Sequence, residues 1–190
     1  MPQKQAKKSV YAFIDSQNLN LGIQRNGWKM DWRKFRKFLA DKYGVTHAYM
    51  FIGYMADNEA LYEYMHELGF LVVLKPTLEV KAAPNAEHDK KSGDKKDDDK
   101  EKDKPIVKGN VDTELVLYAM KEMPNYDKCI IVSGDGDFFS LVEYLAERNK
   151  LSQVMTPNWQ YSSLLKQFED YIVRLDKLKK QLSYHDRKKK

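Results

Sequence analysis

The chain has 190 residues, with 33 Lys and Arg against 28 Asp and Glu, a formal charge of +5 and a pI near 9.0. That length accommodates one domain with a useful core, and the 12% aromatic content argues against disorder throughout. No apolar run is long enough to span a membrane, the stretch after the basic start MPQKQAKKSV is too short for a signal peptide, and a lone Cys129 excludes an internal disulfide.

Val10–Asp15 (VYAFID) reads as a buried strand. Residues 31–43 read as a helix, with Asp31 as N-cap, Trp32, Phe35 and Leu39 on one face, and Gly44 closing it. Val45–Gly53 is a second strand, 57–68 a helix ended by Gly69, and 70–75 a third strand before Pro76. Further on, 111–123 is helical, 129–132 a strand, 138–148 a helix and 151–155 a strand. The stretch 162–182 is expected to be mostly helical, with a break around 171–175. Strands alternating with helices of this length indicate βαβ units. The expected fold class is therefore α/β, in three α/β/α layers around a mainly parallel central sheet, and the sequence has no internal repeat.

The basic excess has a definite location. Residues 1–8 carry three lysines and no acid, and 183–190 carry Arg187, Lys188, Lys189 and Lys190 against Asp186. Segment 86–104 holds seven lysines and eight acids and no aliphatic residue larger than Ala, so it reads as a disordered charged insert. The two ends thus account for +6 and the insert for −1, which leaves 9–85 and 105–182 neutral. The organisation expected is one domain over 9–182, interrupted at 86–104 and flanked by basic tails at 1–8 and 183–190. Such tails supply at most a salt-sensitive, non-specific attraction to a polyanion.

In open parallel sheets ligands sit beyond the carboxyl ends of the strands. The first strand ends in Phe13-Ile14-Asp15-Ser16-Gln17-Asn18, and the strand over 129–132 runs into Ser133-Gly134-Asp135-Gly136-Asp137. A third acid, Asp112, opens the helix after Lys108-Gly109-Asn110-Val111. Singly, each acid has a structural reading: Asp112 and Asp137 as N-caps, Asp15 as a bond to a neighbouring loop. Together, acids converging on one edge repel one another unless a cation sits among them. Hard oxygen donors favour Mg²⁺ or Mn²⁺, ions that activate water and neutralise a phosphodiester.

FIDSQNLN, KGNVDTELVLYAM and IIVSGDGDFFSLVEYL together resemble the NYN domain family in its LabA-like branch, a bacterial group within the PIN-like nuclease superfold. The similarity covers roughly 9–75 and 105–175. It implies a PIN-like fold and a Mg²⁺- or Mn²⁺-dependent endoribonuclease, and the lone Cys129 is consistent with a cytoplasmic, reducing setting. Asp15, Asp112, Asp135 and Asp137 would form the acidic pocket, with Asn18 and Ser133 orienting ligands or substrate. Its substrate would be single-stranded or loop RNA, and nothing in the sequence excludes a homo-oligomer. One departure stands out. Related sequences commonly carry a second acid six residues after the first on the post-Lys-Gly helix, where this chain has Tyr118. Glu114 lies about 200° around the helix from Asp112 and is a poor substitute. The alternative is a catalytically weakened RNA- or partner-binding module on the same fold, with a phosphatase or nucleotide hydrolase as a third reading of the acidic pocket.

For substrate contacts the sequence offers Lys108 beside Asp112 and a basic stretch over 25–42 with Trp28 and Trp32 interleaved. Arg33, Arg36 and Lys37 fall at i, i+3 and i+4, opposite the Trp32/Phe35/Leu39 face. Basic groups contact phosphates while aromatics stack on unpaired bases; the competing reading is an ordinary solvated helix face over a core Trp32. His47, His66, His88 and His185 lack zinc-ligand spacing, Cys129 reads as core, and no phosphate-binding glycine loop stands between a strand and a helix.

Overall fold

Along β1 (Val10–Asp15) every residue after the first is buried. Ala12 and Ile14 pack into one apolar cluster, Tyr11 and Phe13 into another. A strand covered on both faces belongs at the centre of a parallel sheet, and β1 is central. It pairs in parallel with β2 (Val45–Gly53) on one side and with β6 (Lys128–Val132) on the other. The computed structural model describes residues 9–76, 78–80, 106–108 and 111–185. The charged segment 86–104 and the ends 1–8 and 186–190 lie outside the described residues.

The sheet continues through β3 (Leu71–Lys75) beside β2, and through β7 (Leu151–Thr156) and β8 (Ile172–Arg174) beyond β6, in the order β3-β2-β1-β6-β7-β8 with every pairing parallel. The chain winds outward from β1 to β3, then returns to lay β6 against the other side of β1. The reversal leaves a crevice between the carboxyl ends of β1 and β6.

Helices cover both faces. Leu19 and Ile23 of α1 (Ser16–Arg25) and Phe35, Phe38 and Leu39 of α2 (Trp32–Tyr43) pack on Ala12, Ile14, Met50, Ile130 and Val132. Met65 of α3 (Glu59–Glu67) joins the same cluster. On the opposite face, Leu115 and Ala119 of α4 (Asp112–Lys121) and Leu141, Val142 and Leu145 of α5 (Phe139–Glu147) pack on Phe13, Phe51, Cys129 and Ile131. The result is the three-layer α/β/α architecture expected. Cys129 is core, and burial pushes its thiol up to about 12. As expected, Asp31 caps α2 by accepting the Lys34 N–H at 3.1 Å, and Gly44 ends the helix at φ 69°, a left-handed conformation suited to glycine.

Three features depart from the sequence reading. The first is α1, where no helix is expected: its two Asn and one Gly are weak helix formers. Burial of Leu19 and Ile23, together with capping by Asp15, supplies what propensity lacks. The second is residues 163–182, which are not mostly helical. Ser163–Tyr171 and Leu175–Leu178 form 3₁₀ turns, the intervening Ile172–Arg174 becomes edge strand β8, and only α6 (Lys179–Leu182) is α-helical. The expected break is thus a strand whose pairing with β7 outweighs local preference. The third is an antiparallel pair, β4 (Leu78–Val80) with β5 (Ile106–Lys108), which brackets the segment 81–105. At the carboxyl end, Ser183 bridges to Met30 and the Tyr184 N–H donates to Lys29 O at 2.9 Å, so the packed chain continues past the expected boundary at 182.

Candidate functional site

The crevice between β1 and β6 is built from two strand ends locked together by short polar side chains. Asp15 closes β1 and caps α1, its Oδ1 accepting the Asn18 N–H at 3.1 Å. Ser133, immediately after β6, donates its hydroxyl to Asp15 Oδ2 at 3.1 Å and accepts the Asp135 N–H at 3.2 Å. Asn18 Oδ1 in turn accepts the Gly134 N–H at 2.9 Å. Both residues expected to orient ligands therefore tie the two halves of the sheet at the point where the acids emerge.

Asp135 and Asp137 come from one tight turn, in which Asp135 Oδ1 accepts the Asp137 N–H at 3.1 Å and caps the 3₁₀ turn Gly136–Phe138. Asp112 is the first residue of α4. Each of the three offers a carboxylate oxygen within 4.8 Å of the other two. Asp15 stands apart from this triad. It is only 4% exposed, and burial raises its pKa from 3.8 to about 6. The Asn18 N–H and the Ser133 hydroxyl oppose that rise, while the negative charges of Asp112 and Asp135 add to it.

The donor set is all carboxylate, with neither histidine nor thiol in the cluster, and it imposes negative charge on a fourth, buried acid. A hard divalent cation such as Mg²⁺ or Mn²⁺ fits that chemistry, and zinc fits it less well. Glu114 turns to Lys75 at 2.9 Å, forming an ion pair between α4 and the end of β3. Where a further acid was sought, Tyr118 packs edge-on against Tyr49 and Phe51.

The basic stripe does not assemble beside the acids. Arg36 donates Nε–H to Gly69 O at 2.9 Å and its guanidinium also reaches the carbonyls of Val45 and Thr46. Val45 pairs with Val10, the opposite end of β1 from Asp15. Five residues of extended chain separate those ends, about 16 Å. Lys37 pairs with Asp41 at 2.8 Å, and Arg33 lies on a different cleft with Lys29, Tyr64 and Tyr184. Trp28 is buried, and Trp32 packs edge-on against Phe35 and Phe70, so both indoles serve the core. Lys108 ends β5, and its side chain lies outside the described residues.

Sequence reasoning overlooked the loop after β7. Its Ser162 N–H donates to Gly134 O at 2.9 Å and its Asn158 amide to Gly22 O at 2.8 Å, which seats it against the acidic turn. The signal available was its position at the carboxyl end of a parallel strand, where it carries Trp159 but no charge.

The NYN domain family matches residues 9–176. The Low amplitude and bright protein LabA of Synechococcus elongatus is 24% identical over 171 residues, covering 88% of this chain and 83% of its own length. The crystal structure of VPA0982 from Vibrio parahaemolyticus superposes with a TM-score of 0.69 at 22% identity, covering 96% of this chain and all of that one. That likeness is one of fold, the three-layer α/β/α arrangement around a parallel sheet.

Proposed function

The chain belongs to the NYN domain family, and on that premise we propose that it is a divalent-metal-dependent endoribonuclease acting on single-stranded or loop RNA. The observation that carries this reading is the triad of Asp112, Asp135 and Asp137 at the sheet's reversal point, with carboxylate oxygens within 4.8 Å of one another. These three would hold Mg²⁺ or Mn²⁺, which when bound supplies Lewis-acid activation of water and charge neutralisation at the phosphodiester. Ser133 and Asn18 keep the acidic turn fixed against β1 and α1. Asp15 contributes a buried carboxylate behind the triad, linked to it through Ser133. The single domain expected over 9–182, whose packing runs on to Tyr184, would carry the activity, with 86–104 as an insertion in it. A cytoplasmic setting suits the free, buried Cys129, and among the described residues no helix is long and apolar enough to cross a membrane.

The test is cleavage of end-labelled RNA by purified protein with Mg²⁺ or Mn²⁺, with EDTA, and as Asp135→Asn. Cleavage is expected only for the unaltered chain with metal, and cleavage persisting in EDTA or in the variant would sink the assignment.

A second reading, an RNA-binding module without cleavage, is favoured by Tyr118, whose ring packs edge-on against Tyr49 and Phe51 instead of presenting an acid. On that reading RNA binds but no divalent ion supports cleavage. Tyr118→Asp would then create activity while lowering stability by about 1–3 kcal/mol through lost packing.

A further inference from the structure

Beside the acid triad, towards β7, lies a cleft of about 170 Å³ walled by Asn18, Leu21 and Arg25 of α1, Gly134, and Asn158 and Gln160 of the loop after β7. It borders the acidic turn through Gly134, the residue before Asp135. Its volume is below the roughly 300–1,000 Å³ of a small-molecule pocket, which suits a polymer passing across the edge better than an enclosed ligand.

The loop forming its outer wall is pinned. Thr156 Oγ1 donates to Asn158 O at 3.1 Å, the Asn158 side chain joins Gly22 O at 2.8 Å and the Gln160 N–H at 2.7 Å, and Ser162 N–H donates to Gly134 O at 2.9 Å. Close approach fixes the width as well: a Cβ on Gly22 would stand 2.5 Å from Pro157 Cβ. From this fixed loop Trp159 projects into solvent, 60% exposed. A loop held by these bonds does not expose an indole by fraying. Across the cleft Arg25 is exposed and has no ion pair among the described residues. A free guanidinium lining a polar cleft, and an exposed indole carried on the loop that walls it, between the lining residues Asn158 and Gln160, supply what a single nucleic-acid strand requires: a cation for phosphate and a ring for an unpaired base.

We propose that single-stranded RNA reaches the acidic edge along this cleft, with one base stacked on Trp159 and a backbone phosphate held by Arg25. The inference rests on the endoribonuclease reading for its direction, but it concerns binding and is tested without cleavage. Base stacking needs an unpaired base, so Trp159 discriminates single strands from duplex.

The experiment measures binding of fluorescein-labelled oligouridine by anisotropy in EDTA across a salt series, with Trp159→Ala, Trp159→Tyr and Arg25→Ala. Cleavage of the same oligomer by the unaltered chain in Mn²⁺ is followed in parallel. Trp159→Ala is expected to bind about tenfold more weakly, with Trp159→Tyr restoring most of the affinity. Arg25→Ala is expected to lower the salt slope by about 0.7, the share of one single-strand phosphate. If neither alanine variant changes binding, the cleft is not the track, even where the unaltered chain cleaves and the nuclease reading stands. Equal loss on blunt duplex overturns it too, as does failure of the unaltered chain to bind. Binding that depends on Trp159 with no cleavage in Mn²⁺ supports the track and overturns the nuclease reading instead.

Discussion

Asp15 is the residue at which the cost of the acidic edge is most directly measurable. In the fold it keeps its proton to about pH 6, whereas its ordinary value is 3.8. Between those values the folded state binds more protons than the unfolded state, so stability falls as pH rises through that window. One pKa unit is worth about 1.4 kcal/mol, so above pH 6 the metal-free chain loses about 3 kcal/mol relative to pH below 4. Asp15→Asn keeps an acceptor for the Asn18 N–H and removes the ionisation. Its melting temperature without metal is expected to exceed that of the unaltered chain at pH 8 by roughly 6–12 °C, and to match it near pH 4. A difference that stays constant across that range would show that Asp15 is not destabilised by its charge. The acids themselves were legible as carboxylates delivered where strands stop and a helix starts. What the spacing could not reveal is that one of the four is buried behind the others, since that depends on Ser133 reaching across from β6 to Asp15. Trp159 stood at the same kind of position but carried no charge to draw notice.

At the scale of elements, α2 illustrates how one helix can satisfy a binding pattern while serving the fold. Its basic residues follow the spacing of a phosphate-binding face, yet Arg36 fastens α2 to Gly69, just before β3, and to the first residues of β2. Arg36→Ala is expected to lower stability by about 1–2 kcal/mol, read as a shift in urea midpoint at unchanged slope, and to leave the salt dependence of RNA binding unaltered. Unchanged stability with a reduced salt slope would restore the phosphate-binding role. Elements with strong periodicity or capping, such as β1, α2 and Val45–Gly53, were readable because local preference and packing agree in them. α1 and β8 were not, because Leu19 and Ile23 fold α1 against its own Asn-rich composition and β8 exists through pairing with β7. The order in which β6 returns beside β1 comes from the winding of the whole sheet, which no local pattern encodes.

For the whole molecule, charge is arranged against the simplest expectation for a protein that handles RNA. The formal charge is +5, but three lysines in 1–8 and the net three positive charges of 186–190 exceed it, so a chain trimmed to 9–185 carries about −1. Electrostatic attraction from the ends is non-specific and screened by salt, whereas stacking on Trp159, as proposed, would be affected little by salt. Trimming to 9–185 is therefore expected to leave the melting temperature unchanged, since the described packing begins at Ser9, which binds Asp127 and Asn125, and runs to Tyr184, which binds Lys29. Affinity for oligouridine should fall several-fold at low salt and converge with that of the full chain as salt rises, with a shallower slope of log affinity against log salt. Parallel lines would mean that the terminal lysines make no phosphate contacts. Loss of affinity at high salt would place a specific determinant in the ends and move the substrate track away from Trp159 and Arg25.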